Sequence, residues 1–305
     1  MMKKVKENNI VKLILTIAIG IILLVLGSTN EQIGKMLGNV DTNQNAEKVQ
    51  LEGLTISYGE HVIKEITDTN NLKVYYFDVG QADSILIVNN NKTMLIDAGN
   101  NDDGELIVNN IRKLGISKLD YVIGTHPHED HIGGLDDVID AFDIGTIYMP
   151  KVQTSTKTFE DVLDSISKKG LTVTAPKIGD KFQVGNANCE VMSVGEDSSN
   201  LNSTSIVIRM EYNNKSYLFM GDAEQVNEAA RDWPETDILK VGHHGSQTSS
   251  SQKFLNQIKP KIAVIQLGQG NKYGHPHDEV IKRLEKLNVT IYRTDLQKDI
   301  LIEQE

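Results

Sequence analysis

Short apolar runs punctuated by turn residues constrain this chain more than any other feature. "LKVYYFDV", "DSILIV", "TMLIDAG", "LDYVIGT", "SIVIRMEY", "SYLFMGD", "DILKVG" and "KIAVIQLG" follow one another along the sequence, each of strand length. Between them, "GELIVNNIRKLG", "GLDDVIDAF", "TFEDVLDSISKKG" and "DEVIKRLEKLN" carry the three-to-four-residue spacing of amphipathic helices. Strands interleaved with helices predict a layered α/β protein. "DILIEQE" reads as a last strand, and no internal repeat is visible. At 305 residues and 39% apolar content, the chain can build one large domain or two small ones around a substantial core. Its single cysteine, Cys189, excludes an intramolecular disulfide framework and a cysteine-rich zinc cluster. In "ANCEVMSV" it reads as a thiol packed on a strand.

Residues 1–27 stand apart from this pattern. Lys3, Lys4 and Lys6 precede "IVKLILTIAIGIILLVLG", an apolar run broken only by Lys12 and Thr16. Its length lies between the roughly 7–15 residues of a signal-peptide core and the roughly 20 of a full span. No A-x-A cleavage site follows, so the segment reads as an uncleaved signal anchor, with a cleaved secretory peptide as the alternative. Positive residues stay cytoplasmic, which predicts a single-pass protein of the cell membrane with its bulk extracytoplasmic. Residues 28–50, polar and rich in Asn and Gln, read as a flexible linker, and the folded domain is expected over residues 51–305.

The formal net charge is −11. Without the four lysines and one glutamate of residues 1–27, 27 basic residues face 41 acidic ones, a charge of −14. That balance excludes a protein that wraps DNA along a basic stripe. It leaves a phosphodiester substrate open, because a pair of divalent ions supplies positive charge that residue counting misses.

Potential ligands concentrate in "THPHEDHIGG", residues 125–134. If "LDYVIGT" is a strand ending near Thr125, then His126, His128, Asp130 and His131 occupy the loop at its C-terminal end, where α/β folds gather their chemistry. A curled loop can aim His126 and His128 at one ion, and Asp130 and His131 at a neighbour. Imidazole and carboxylate ligands suit zinc, with iron and manganese also admissible. Pro127 restricts the loop, and Gly133 and Gly134 allow close backbone approach. A lone histidine here would usually be a solvated surface residue, but H-x-H-x-D-H between a strand and G-G is far more specific. Downstream, Asp222 ends "SYLFMGD", His243 and His244 follow "DILKVG", and His275 lies in "YGHPHD". Adjacent side chains at a strand end point different ways, so one of His243 and His244 can ligate while the other faces substrate.

H-x-H-x-D-H followed by G-G resembles the metal motif of the metallo-β-lactamase superfamily. "FDVGQADSILI" (77–87), "LIDAG" (95–99), "FMGD" (219–222), "DILKVGHHGSQTSSSQKFL" (237–255) and "AVIQLGQGNKYGHPHDEVIKRL" (263–284) narrow the resemblance. In this order they are similar to the extracytoplasmic metallo-β-lactamase-like domain of ComEC-type competence proteins, over roughly residues 72–303. The expectation is a stand-alone, membrane-anchored relative without the multi-span channel of those proteins.

The resemblance implies a four-layer αββα sandwich with two divalent ions, zinc or manganese, at one edge. It implies His126, His128, Asp130, His131 and Asp222 as metal ligands, with Asp222 bridging, and His275 as a further ligand or a phosphate contact; of the adjacent pair His244 is read as the ligand, and Asp130, His243 and His275 are the expected residues of the reaction. Asp97 and Asp83 would be carboxylates that orient a ligand histidine, although a turn or helix cap is the plainer role for Asp83. Two departures stand out. No ligand histidine occurs in "EDSSNLNSTSIVIRM", where Asn202 or Ser203 stands instead, as in the ComEC group. His128 stands where ComEC proteins often carry Asp.

Two such ions would lower the pKa of a bridging water and deliver hydroxide to an electrophile, with His243 or His275 protonating the leaving oxygen. The expected activity is an extracytoplasmic, metal-dependent phosphodiesterase or nuclease acting on a small-molecule or nucleic-acid phosphodiester. A hydrolase of another small ester (a phosphocholine ester, lactone or β-lactam) and a noncatalytic surface binding protein with a relic site are the alternatives. No protein partner is inferable. The serines of residues 246–251 are expected to cap the following helix, with contact to substrate as the alternative.

Overall fold

The computed structural model describes residues 47–51, 53–195 and 199–305. The expected anchor, residues 1–27, lies outside the described residues, as does most of the expected linker. No described helix is long and apolar enough to cross a membrane.

Two sheets form among the described residues. The first runs in chain order through β1 (Glu47–Leu51), β2 (Leu54–Tyr58), β3 (Leu72–Tyr76), β4 (Ile85–Asn89), β5 (Lys92–Ile96), β6 (Lys118–Ile123), β7 (Asp143–Tyr148) and β8 (Val173–Thr174). The second is built from β9 (Lys181–Val184), β10 (Ala187–Ser193), β11 (Val207–Tyr212), β12 (Lys215–Phe219), β13 (Ile238–Lys240), β14 (Ile262–Ile265) and β15 (Thr290–Arg293). The last strand, β16 (Ile300–Gln304), returns to the first sheet and pairs antiparallel with both β2 and β3. The resulting orders are β1-β2-β16-β3-β4-β5-β6-β7-β8 and β15-β14-β13-β12-β11-β10-β9. β1 begins inside the stretch read from sequence as linker, because residues 47–51 pair in register with β2.

Alternation along the strands produces the layers, since successive side chains point to opposite faces. Val74 and Tyr76 on β3, Ile85 and Ile87 on β4, and Tyr217 and Phe219 on β12 share the core between the two sheets. Their neighbours Tyr75, Leu86 and Leu95 turn outward against α1 (Gly104–Lys113), α3 (Leu135–Ala141) and α4 (Lys157–Lys168), with the short α2 (Glu129–Ile132) before α3. α5 (Gln225–Ala229) lies between β12 and β13 in the chain. On the second sheet Leu218, Leu239 and Ala263 face α6 (Gln252–Ile258) and α7 (Asp278–Glu285). Helix, sheet, sheet, helix is the four-layer order the resemblance implied. Each fully buried Leu, Ile or Phe contributes about 1.5–3 kcal/mol.

Within each sheet one stretch is parallel: β5 through β8, and β12 through β15. Parallel neighbours send their carboxyl ends to the same edge. That edge is where ligands bind in open α/β sheets.

Candidate metal centre

The loop after β5 and the loop after β6 hold each other. Asp97, at φ +60° and fully buried, follows β5 and accepts from both the backbone N and the Oγ1 of Thr125, each at 2.8 Å. The same carboxylate meets His131 Nδ1 at 2.8 Å, which leaves His131 Nε2 free to face the opposite way. Backbone bonds complete the lock: Ala98 N donates to His131 O, Asp83 N to Asp130 O, and Gly133 N to Gly99 O. The two glycines of the motif are needed for this contact. A Cβ at Gly133 would lie 2.2 Å from the Asn100 carbonyl carbon, and one at Gly134 would lie 2.6 Å from Ala98 O.

The second sheet supplies the other half. Asp222 follows β12 and is buried among imidazoles. Its Oδ1 lies 3.2 Å from His131 Nε2 and 3.7 Å from His244 Nε2, and its Oδ2 lies 3.6 Å from His243 Nε2 and 3.9 Å from His126 Nε2. His243 and His244 follow β13, both with left-handed backbones near φ +50° that L-residues other than glycine seldom adopt. This turn splits the pair. His244 is buried, with Nδ1 2.9 Å from Gln266 O and Nε2 3.4 Å from Asp130 Oδ2. His243 is partly exposed, with Nδ1 3.0 Å from Thr248 Oγ1 and Nε2 toward Asp222. His128 meets this group edge-on through His126, with ring planes 77° apart and Nδ1 2.9 Å from Nε2. His275 is half-buried on the outer side, its ring centroid 5.7 Å from that of His243 and 6.3 Å from that of His244. All ten residues singled out in the sequence therefore gather at one edge.

Donor chemistry fits a cation. His131 Nε2, His244 Nε2 and Asp222 Oδ1 are buried atoms without a hydrogen-bond partner, and they converge on each other. Unpartnered buried polar atoms are rare and expensive, and convergence of two ring nitrogens on a carboxylate suits a divalent ion. Asp130, His131 and His244 form one group able to hold a metal; His126, His131 and Asp222 form another, sharing His131. Near the second, Asn202 occupies the region where the sequence lacks a further histidine. Its Nδ2 is 3.4 Å from His243 Nε2, and its buried Oδ1 has no partner.

Charges in the cluster are strongly displaced. Burial alone would drive protons off His244, but the Asp222 and Asp83 carboxylates outweigh it and push the imidazole up to about 10. His131 is likewise lifted well above its ordinary value by Asp222 and Asp97 against burial. Asp222 is held far below the carboxylate range by these imidazoles, although burial opposes this. Burial, reinforced by His131, keeps His126 neutral, and burial with His244 and His243 takes His275 down to about 4.

Lys240 escaped the sequence reading. It ends β13 with 0% exposure and is ion-paired to Asp83. Asp83 in turn lies 3.3 Å from His244 Nδ1 and 3.8 Å from His131 Nδ1, beneath both imidazoles. A turn or cap is thus not its principal setting. Lys240 also reaches the carbonyl of Gly221 at 3.4 Å, next to Asp222, so one cation links Asp83 to the backbone beside Asp222. Its signal in the sequence was only its place before "VGHHG". His277 is partly buried, its Nδ1 accepting from Gln247 N at 3.1 Å. Ser251 caps α6 as expected, accepting from Phe254 N at 3.2 Å.

The metallo-beta-lactamase superfamily model matches residues 77–269, which contain nine of the ten residues singled out in the sequence, all but His275. The chain belongs to the metallo-beta-lactamase superfamily. Among curated relatives, ComE operon protein 3 of Bacillus subtilis is 34% identical over 186 residues, covering 59% of this chain and 24% of that protein. Recombination protein 2 of Haemophilus influenzae is 30% identical, covering 74% of this chain and 28% of that protein. Competence protein ComA of Neisseria gonorrhoeae is 27% identical, covering 79% and 33%. The chain thus spans between a quarter and a third of the length of these relatives, and within the superfamily it is a ComEC-type domain. The metallo-beta-lactamase fold protein YhfI of Bacillus subtilis shares the fold at a TM-score of 0.53 and 13% identity, covering 76% of this chain and 99% of that one. CmlA, a diiron beta-hydroxylase from Streptomyces venezuelae, shares it at 0.51 and 14% identity, covering 77% and 55%. The superfamily binds divalent metals, and its members are mostly hydrolases.

Proposed function

We propose that the protein is a metal-dependent hydrolase of phosphodiesters, nucleic acid among them, acting outside the cytoplasmic membrane. The observation that carries this reading is the convergence of His131 Nε2, His244 Nε2 and Asp222 Oδ1, buried and without hydrogen-bond partners. In this reading Asp130, His131 and His244, with Asp222 beside them, would hold one divalent cation, zinc or manganese, and His126 and Asp222, with His128 beside them, would hold a second. Bound there, such cations would supply acidification of coordinated water and withdrawal of charge from a phosphoryl oxygen.

The remaining work belongs to the chain. Asp97 and Asp83 fix the ring planes of His131 and His244 through their Nδ1 atoms. Asp130, with 29% of its side chain exposed, accepts a proton from the attacking water. His243, anchored through Nδ1 by Thr248, turns Nε2 toward the reacting phosphate and protonates the leaving oxygen. His275, kept neutral, donates one hydrogen bond to a phosphate oxygen.

Relatives named for competence and for recombination support a nucleic-acid substrate. The extracytoplasmic setting rests on the lysines ahead of the apolar run in residues 1–27. The test is hydrolysis of bis-p-nitrophenyl phosphate, single-stranded DNA and a chromogenic β-lactam with added Mn2+ or Zn2+, using the H126A/D130A double variant as control. Cleavage of the phosphodiesters by the parent alone is expected. Metal binding with β-lactam cleavage only would overturn the substrate assignment.

A further inference from the structure

Tyr273 lies on the rim of the site. It is the one aromatic residue among the exposed large apolar side chains of the described residues, with 54% of its surface in water. Single exposed apolar side chains are ordinary. This one differs in being both fastened and adjacent to the site. Asn271 Oδ1 accepts from the backbone N of Tyr273 at 3.2 Å and of His275 at 3.0 Å, while its Nδ2 donates to Gly268 O at 3.0 Å and His275 O at 2.7 Å. The loop is thus closed on itself by one side chain. The Tyr273 ring stacks on His275 with centroids 5.6 Å apart and planes 23° apart. Rings therefore lead outward in sequence from Asp222 through His243 and His275 to Tyr273.

Charge makes this aromatic rim informative. A chain of net charge −11 cannot hold a polyanion by releasing counterions along a basic stripe. Beyond the cations held at the site, affinity for a strand then draws on contacts indifferent to charge, and stacking of a base on an aromatic face is the principal one. Lys272 offers the complementary contact. Its Nζ lies 5.2 Å from the Tyr273 ring centroid, on a flexible stem that can swing from the ring to a phosphate.

We infer that Tyr273 is a stacking platform for a nucleobase next to the scissile phosphodiester, with Lys272 contacting the phosphate beside it. The inference rests on the phosphodiesterase reading above and adds that the substrate is single-stranded nucleic acid recognised by its bases. Because the platform touches His275, a base seated on it adjoins the phosphate facing His243. A duplex, whose bases are stacked on each other, cannot use it.

The experiment is fluorescence anisotropy of the full-length chain with Mn2+, using a phosphorothioate oligothymidine that resists cleavage and an abasic phosphorothioate strand of equal length. The thymidine strand is expected to bind more tightly than the abasic one. Tyr273→Ala should weaken it by about 5- to 150-fold, to the abasic level, while Tyr273→Phe keeps the parent affinity. Equal affinity of the parent for the two strands, absence of binding to either, or an unchanged affinity in Tyr273→Ala overturns the inference. Hydrolysis of bis-p-nitrophenyl phosphate by the parent chain, measured alongside, tells the two failures apart. Cleavage with equal strand affinities leaves the phosphodiesterase reading standing and removes the base platform; no cleavage removes the reading itself.

Discussion

His131 Nδ1 and Asp97 Oδ2 lie 2.8 Å apart in a fully buried pair, and this contact turns the other ring nitrogen of His131 toward Asp222. Thr125 secures the carboxylate from behind with two further bonds. Carboxylates behind a ligand histidine typically govern metal affinity by 10- to 100-fold. Asp97→Asn tolerates the left-handed backbone at this position but removes the negative charge. Its affinity for Mn2+ or Zn2+, measured by competition with a chelator, is expected to fall by about 10- to 100-fold. Unchanged affinity would remove Asp97 from the support of the site.

The adjacent histidines should separate into two phenotypes. His244 is buried with an unpartnered Nε2 facing Asp130 and Asp222, whereas His243 is partly exposed and held by Thr248. His244→Ala is expected to lose bound metal, read by elemental analysis. His243→Ala should keep its metal while kcat on a phosphodiester falls by about 10²- to 10⁴-fold, the range for a lost general acid. The reverse pattern would exchange their roles.

Metal uptake should be coupled to protons. In the metal-free protein His244 is raised to about 10 and His131 is raised as well, so both rings are protonated near neutrality. Folded values above the ordinary imidazole value of about 6.5 mean that protonation stabilises the metal-free fold. That contribution is full below about pH 6.5 and is lost as pH climbs through about 10. A cation has to displace the same protons, so metal affinity should increase with pH over this interval. Titration calorimetry at pH 7 in two buffers of different ionisation heat should show net proton release. Heats that do not depend on the buffer would contradict it.

Lys240 and Asp83 form a buried ion pair joining the second sheet to the loop after β3. Removing one member of such a pair strands a buried charge at a cost of about 3–5 kcal/mol. Lys240→Met should lose about that much stability in urea unfolding of the metal-free protein, and Lys240→Met/Asp83→Asn should regain most of it. Additive losses in the double variant would mean that the two residues act independently.

How much of this could be read from the sequence differs residue by residue. "LDYVIGT" places β6 correctly because a short β-rich run before T-H-P-H leaves little choice, and the site loop follows directly. The amphipathic repeats of α1, α4 and α7 are equally legible, since each helix buries one stripe. The residues at the site were legible by motif order. Their pairings were not: Asp83 and Lys240 are 157 positions apart, and a lysine within an apolar run gives no sign of its burial partner. The split between His243 and His244 depends on two left-handed residues in succession, which no residue type at these positions announces. β1 was hidden for a different reason. "EKVQL" is polar enough to pass for linker, and only its pairing with β2 makes it a strand.

The most direct test of the account is to strip the protein with a chelator, return Mn2+ or Zn2+ in known amounts, and follow bis-p-nitrophenyl phosphate hydrolysis against metal bound. The account predicts no hydrolysis in the stripped protein and activity that rises with bound metal until the cluster around Asp222 is filled. Metal bound in full with no hydrolysis, or hydrolysis that persists without metal, would contradict it.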